Sequence, residues 1–128
     1  MDRARVARSA FFAQLPEEEL DAVAASADEV EFAVGQAITR EGDLGHCLYV
    51  VESGAANVLA DGRVIGEVGP GDVVGEVAVL ASGRRTASVV AATPLLALAW
   101  FKRDVWALEQ SAPEAARRLR AALAGHRA

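Results

Sequence analysis

The sequence predicts an α+β fold in one domain: a helical start, a rolled sandwich or barrel of short antiparallel strands, and a helical end. Apolar residues recur with helical spacing near both ends of the chain. Between these ends the apolar runs are short, closely spaced and separated by glycine-bearing turn signals, which suits a rolled sheet and not a parallel one. At 128 residues the chain can bury one sizeable core and is too short for two.

The helical lead-in covers residues 1–28. Pro16 followed by Glu17, Glu18 and Glu19 puts a helix-permissive proline and negative charge in a first turn, and Leu20, Val23, Ala24 and Ala27 then recur at i, i+3, i+4 and i+7. A helix is predicted over 16–27. The roll covers 29–100, with strand-like runs at Val30 to Val34, Ala37 to Arg40, Cys47 to Glu52, Ala55 to Ala60, Arg63 to Val68, Ala87 to Ala91 and Leu95 to Trp100. Asp61-Gly62, between two alternating runs, is the strongest hairpin signal. Helices return over 101–125. Lys102 to Gln110 has no breaker, and Ser111-Ala112-Pro113-Glu114 has capping-box spacing, so a last helix is predicted from Ser111 with an apolar stripe of Ala115, Ala116, Leu119, Ala122 and Leu123. Gly125 is placed to stop it.

Composition narrows the function. A hydrophobic content of 52% excludes disorder, and no apolar stretch reaches the length of a membrane span. The N-terminus lacks the apolar core of a secretory signal, so the cytoplasm is the expected location. A net charge of -5 argues against general nucleic-acid coating and against direct DNA binding by this segment. Between Glu41 and Glu76 seven acidic residues face one basic residue, Arg63, so an anion bound mid-chain must rely on few cations. Cys47 is the only cysteine, and His46 and His126 are the only histidines; no multi-thiolate or imidazole metal site can be built, and no metal or cofactor is expected. Without a nucleophile-base pair or a metal set, the chain does not read as an enzyme.

The segment from Gly69 to Val89 departs from the strand-turn rhythm. Gly75 lets the backbone approach a ligand, helix-forming residues follow, and Arg85 stands ten residues after Gly75. Free N–H groups at Val77 and Ala78, together with a planar guanidinium, make a cradle for an anion. Glu76 would repel a bare phosphate, so the ligand must also present hydroxyl donors, as a nucleotide ribose does.

These residues resemble the cyclic nucleotide-binding domain family of catabolite-activator-type regulators, kinase regulatory subunits and gated channels. The resemblance runs over nearly the whole chain, through Ile38 to Asp43, Leu48 to Gly54 and Gly71-Asp72, to a phosphate-binding cassette at Gly75-Glu76-Val77-Ala78 and Arg85-Thr86-Ala87-Ser88-Val89. It implies a jelly-roll-like antiparallel β-roll of about eight strands with an N-terminal helical segment and two C-terminal helices. It also implies that Glu76 accepts the ribose 2′-hydroxyl, Arg85 neutralises the cyclic phosphate, and Gly75, Val77, Ala78 and Thr86 complete the phosphate contacts. Three positions depart from the common pattern: Val74 where an aromatic is usual, Arg84 where proline is usual, and His46 where an acidic or small residue is common.

The reading is therefore a sensor of cAMP or cGMP, with an effector domain or partner protein outside the chain; the alternative is an interaction module of the same fold that binds no cyclic nucleotide. Thr86 permits cGMP, while an Ala-rich composition with Arg far above Lys reads as bacterial and favours cAMP. The stripe of residues 115 to 123 is expected to cover the purine and to be the moving part, and the C-terminal helices are the expected homodimer contact. Trp100, Trp106 and Cys47 are expected in the core, and most of Arg117, Arg118 and Arg120 in solvent.

Overall fold

The computed structural model describes residues 1–39, 47–75 and 88–125. A short helix α1 (Arg3–Ala7), a 3-10 turn (Ala10–Phe12) and helix α2 (Glu17–Ser26) form the lead-in. The strands are β1 (Asp28–Phe32), β2 (Ala37–Thr39), β3 (Cys47–Ser53), β4 (Ala56–Ala60), β5 (Arg63–Val68), β6 (Val73–Val74), β7 (Ser88–Ala91) and β8 (Leu95–Phe101). Helices α3 (Lys102–Ser111) and α4 (Pro113–Gly125) close the chain. The α+β class and the antiparallel roll are as the sequence predicts.

Among the described residues every strand pair is antiparallel, and the strands make two four-stranded sheets, ordered β1-β8-β3-β6 and β2-β7-β4-β5. Alternation along β3 and β8 divides the buried residues between two cores. Leu48, Val50, Leu98 and Trp100 meet Val6, Phe12, Leu20, Val23, Leu108 and Leu119 in a layer between the first sheet and the helices. Val51, Leu95 and Ala97 face the other way and meet Val58, Val68, Val89 and Ala91 of the second sheet. Trp100 anchors the helical layer: it is 1% exposed, its indole N–H donates to the Val23 carbonyl at 3.0 Å, and its ring packs edge-on to Phe12 at 5.4 Å.

Local chemistry accounts for the turns. Asp61 and Gly62 have φ of 52° and 76°, the pair of left-handed residues that the β4–β5 hairpin requires. Gly54 has φ of 92°, and a Cβ there would stand 2.9 Å from the Leu95 Cα and closer still to the Pro94 carbonyl oxygen. Only glycine fits.

Several expectations are corrected. The first strand begins at Asp28, not Val30, and Val34 lies beyond it, exposed. β6 has only two residues and no sequence signal of its own; it exists because Val73 and Val74 pair with Val50 and Tyr49. The Ser111 capping box does not form. Ser111 ends α3, with its hydroxyl donating to the Ala107 carbonyl, and Glu114 turns instead to Arg117 at 2.6 Å, a contact that pulls its carboxyl down to about 2. The cap of α4 comes from α2: Glu19 accepts the Ala115 N–H at 2.9 Å. Trp106 is not core. The buried face of α3 runs through Val105 and Leu108, and Trp106, one residue round from Val105, is 50% exposed. Cys47, at the start of its strand, is half-buried. Arg118 is not a solvated charge either; it donates to the Phe11 and Ala13 carbonyls at 3.1 and 2.7 Å. Among the described residues no helix is long and apolar enough to cross a membrane.

Candidate functional site

The candidate segment leaves the first sheet at the end of β6 and enters the second at the start of β7. It therefore links the two sheets. Val74 before it and Val89 after it are 2% and 1% exposed and lie in the same core between the sheets, so both ends of the segment are fixed by packing. Gly75 has φ of 87°, a conformation that side chains with a Cβ rarely adopt. Glu76, Val77, Ala78, Arg84, Arg85 and Thr86 lie outside the described residues, as does His46.

What brings β6 to this position is the turn before it. Asp72 accepts the Gly69 N–H on its carboxylate at 2.8 Å, Gly71 donates to the Val51 carbonyl at 2.8 Å, and Val51 donates back to the Asp72 carbonyl at 3.0 Å. The Gly71-Asp72 pair thus sets β6 on β3, and the carboxylate acts on the backbone of its own turn.

Strand registers bring other groups to the same end of the roll. Cys47 pairs with Phe101, and the next pairs inward on β3 lead to Val74. On the second sheet Leu59 pairs with Val64 on one side and with Ser88, where the segment ends, on the other. Val64 and Ile65 are 59% and 60% exposed on the edge strand β5, beside a bulge. Two large apolar side chains thus stand in solvent one strand removed from β7, whereas exposed apolar surface was expected only on the last helix. Their signal in the sequence is faint: two β-branched residues in succession after a hairpin, where strict alternation would give one.

The acidic balance of this stretch is partly offset from outside it. Arg5 of α1 holds Glu52 through two hydrogen bonds of 2.8 and 3.0 Å and reaches Glu29 at 2.7 Å. Those bonds keep the Glu52 carboxyl below its ordinary range. Among the described residues no group of His, Cys, Asp and Glu could hold a metal ion.

The stripe on α4 is largely committed elsewhere. Ala115, Ala116 and Leu119 are 0%, 4% and 2% exposed, packed with α2 and α3 and not open to a ligand, while the side chains of Ala122 and Leu123 lie outside the described residues.

The model of the cyclic nucleotide-binding domain matches residues 29–111, more than half of the chain. The chain belongs to that family. This cyclic nucleotide-binding domain is 35% identical over 121 residues to the cyclic AMP receptor protein of Thermus thermophilus, covering 91% of the chain and 56% of the relative. It superposes on the crystal structure of the Thermus thermophilus catabolite activator protein with a TM-score of 0.80, over 89% of this chain and 56% of that one. It is 37% identical over 89 residues to a cAMP-dependent protein kinase regulatory subunit of Yarrowia lipolytica, covering 70% of the chain and 24% of the relative. A regulatory subunit of a cAMP-independent protein kinase A from Trypanosoma cruzi, bound to guanosine, matches with 27% identity and a TM-score of 0.77 over 91% of this chain and 43% of that one. The domain thus spans about half the length of its Thermus relative, or less for the kinase subunits. The family match opens inside β1 and closes at the end of α3, so α1, α2 and α4 lie beyond it.

Proposed function

We propose that the domain is a non-catalytic sensor of a cyclic nucleotide, cAMP or cGMP, acting in the cytoplasm on an effector outside this chain. The observation that carries the reading is the anchoring of both ends of the cassette, Val74 and Val89, in one core, with Gly75 held at positive φ between anchor and cassette. In this reading Arg85 pairs with the cyclic phosphate, Gly75, Val77, Ala78 and Thr86 surround it, and Glu76 takes the ribose 2′-hydroxyl. Val64 and Ile65 supply apolar surface for the purine. Transmission runs through α4. Its first half is held to the helical layer by Glu19 and Arg118, which leaves the turns after Leu119 to close over the base.

Calorimetric titration with cAMP and cGMP tests the reading. Arg85→Ala removes a charge-assisted donor worth about 1.5 to 3 kcal/mol, a rise in Kd of roughly tenfold to 150-fold. Unchanged affinity in that variant, or equal binding of the 2′-deoxy nucleotide, would remove the assigned roles. Hydrogen exchange with nucleotide should gain protection only after Leu119 on α4; a change spread over the whole helix contradicts the half-helix movement. The guanosine in the Trypanosoma relative favours one other reading, a nucleoside ligand without cyclic phosphate. In that case guanosine competes as well as cGMP and Arg85→Ala leaves its affinity unchanged.

A further inference from the structure

The lead-in and the turn before β6 enclose a cavity of about 350 Å³, at the small end of the roughly 300 to 1,000 Å³ usual for ligand sites. The lead-in brings Arg5, Arg8, Ser9 and Ala10 to its walls, and the roll brings Glu52 and Pro70. The nucleotide reading assigns a contact to none of them. Two of these groups lack partners. The Ser9 hydroxyl is buried with no hydrogen-bond partner among the described residues, a state that buried hydroxyls seldom keep, and rotation about its one χ angle is its freedom to find one. Arg8 is exposed and makes no ion pair among the described residues, although its charge helps to hold the Glu52 carboxyl low.

The two signs of charge on the walls define the ligand. Arg5 is already shared between Glu52 and Glu29, which leaves Arg8 as the cation for an incoming anion. Glu52 accepts one bond from Arg5 on each carboxylate oxygen, and an ionised carboxylate has about four acceptor sites, so a further donor can be taken. Its side chain is 23% exposed and can be reached. A bare anion here is repelled by Glu52, and a bare cation by Arg8. A small zwitterion satisfies both, and the Ser9 hydroxyl adds a donor for its anionic end. Ala10 and Pro70, both exposed, offer apolar surface to the rest of the molecule. At the same wall a Cβ on Gly71 would stand 3.5 Å from the Ala10 Cβ, so the lead-in rests directly on the turn and one ligand touches both.

We infer that this cavity binds a free α-amino acid with an apolar side chain, its carboxylate on Arg8 and Ser9 and its ammonium on Glu52. The inference does not depend on the nucleotide. Calorimetric titration of the full chain with leucine, valine and methionine tests it, with N-acetyl-leucine, leucine amide and acetate as ligands of a single charge. At least one of the three amino acids should bind in the millimolar range or tighter, and each single-charge ligand at least about tenfold more weakly. Arg8→Gln should raise Kd about tenfold and Ser9→Ala roughly threefold. Ser9→Ala should leave the thermal midpoint unchanged or raise it, because the hydroxyl it removes is unpaired, and this midpoint also checks the fold of both variants. Hydrogen exchange with the bound amino acid should gain protection at residues 8–12 and 69–72. Absence of binding by all three amino acids overturns the proposal, as does affinity indifferent to Arg8→Gln. Acetate or N-acetyl-leucine binding as well as leucine also overturns it, since the site would then hold an anion without regard to the ammonium.

Discussion

The two ends of the roll are built differently. At one end the chain reverses at residues 33–36, 53–55, 69–72 and 92–94, and nearly every reversal is fixed by a bond to another. Gly35 donates to the Ala91 carbonyl at 2.8 Å, Ala91 to the Gln36 carbonyl at 2.9 Å, and Ala55 to the Thr93 hydroxyl at 2.9 Å, while Gly54 touches the Pro94-Leu95 backbone. At the other end the strands deliver the cassette, the 40–46 connection and the exposed Val64, Ile65 and Phe101. The difference teaches how a small roll divides its labour. Register and stability are set at the end of linked turns, and the cassette departs from the other.

Substitutions at each end should separate stability from binding. Gly54→Ala puts a methyl group against the Pro94-Leu95 backbone in a left-handed conformation, and a loss of about 3 kcal/mol in urea unfolding is expected, with nucleotide affinity of the folded protein unchanged. Gly75→Ala meets the same conformational penalty, so about 1 to 2 kcal/mol is expected, and here affinity should fall as well. If both variants lose the same stability and neither loses affinity, the division between the ends is wrong. Asp72→Ala removes the bond to the Gly69 N–H and should lower stability by about 1 kcal/mol, with affinity following because β6 carries the cassette.

The smallest effect is at Glu52. Its carboxyl titrates lower in the folded state than in the unfolded chain, so its contribution is present above the usual value of 4.5 and fades as pH falls through the depressed folded value. Arg5→Met should therefore flatten the acid limb of the stability profile below that value and leave neutral-pH stability within about 1 kcal/mol of wild type. An acid limb that is unchanged would assign the sensitivity to other carboxylates.

Legibility in the sequence followed the range of the interactions. The Asp61-Gly62 hairpin and the α2 helix depend on neighbours in the chain, and both were readable from a few residues. The cassette was readable because it is contiguous. What escaped was set by partners far away: β6 is a strand only through β3, the cap of α4 is a side chain of α2, and Arg118 finds its acceptors in the loop around Phe11. Trp106 escaped for another reason. A tryptophan's composition value favours burial, and only the angle between Trp106 and Val105 on the helix puts the indole outside.

The bond from the Ala115 N–H to Glu19 closes a separation of 96 residues. Closure over such a loop carries a large entropic penalty that is recovered only when both helices are already in place. The start of the last helix must therefore order late, after the roll between has brought α2 and α4 together, and it should be among the first contacts to open when the domain unfolds. The same bond makes the order of synthesis matter. α2 leaves the ribosome long before its acceptor oxygen has a donor to meet, and until then Glu19 stays solvated in a first turn whose amide ends favour its charge.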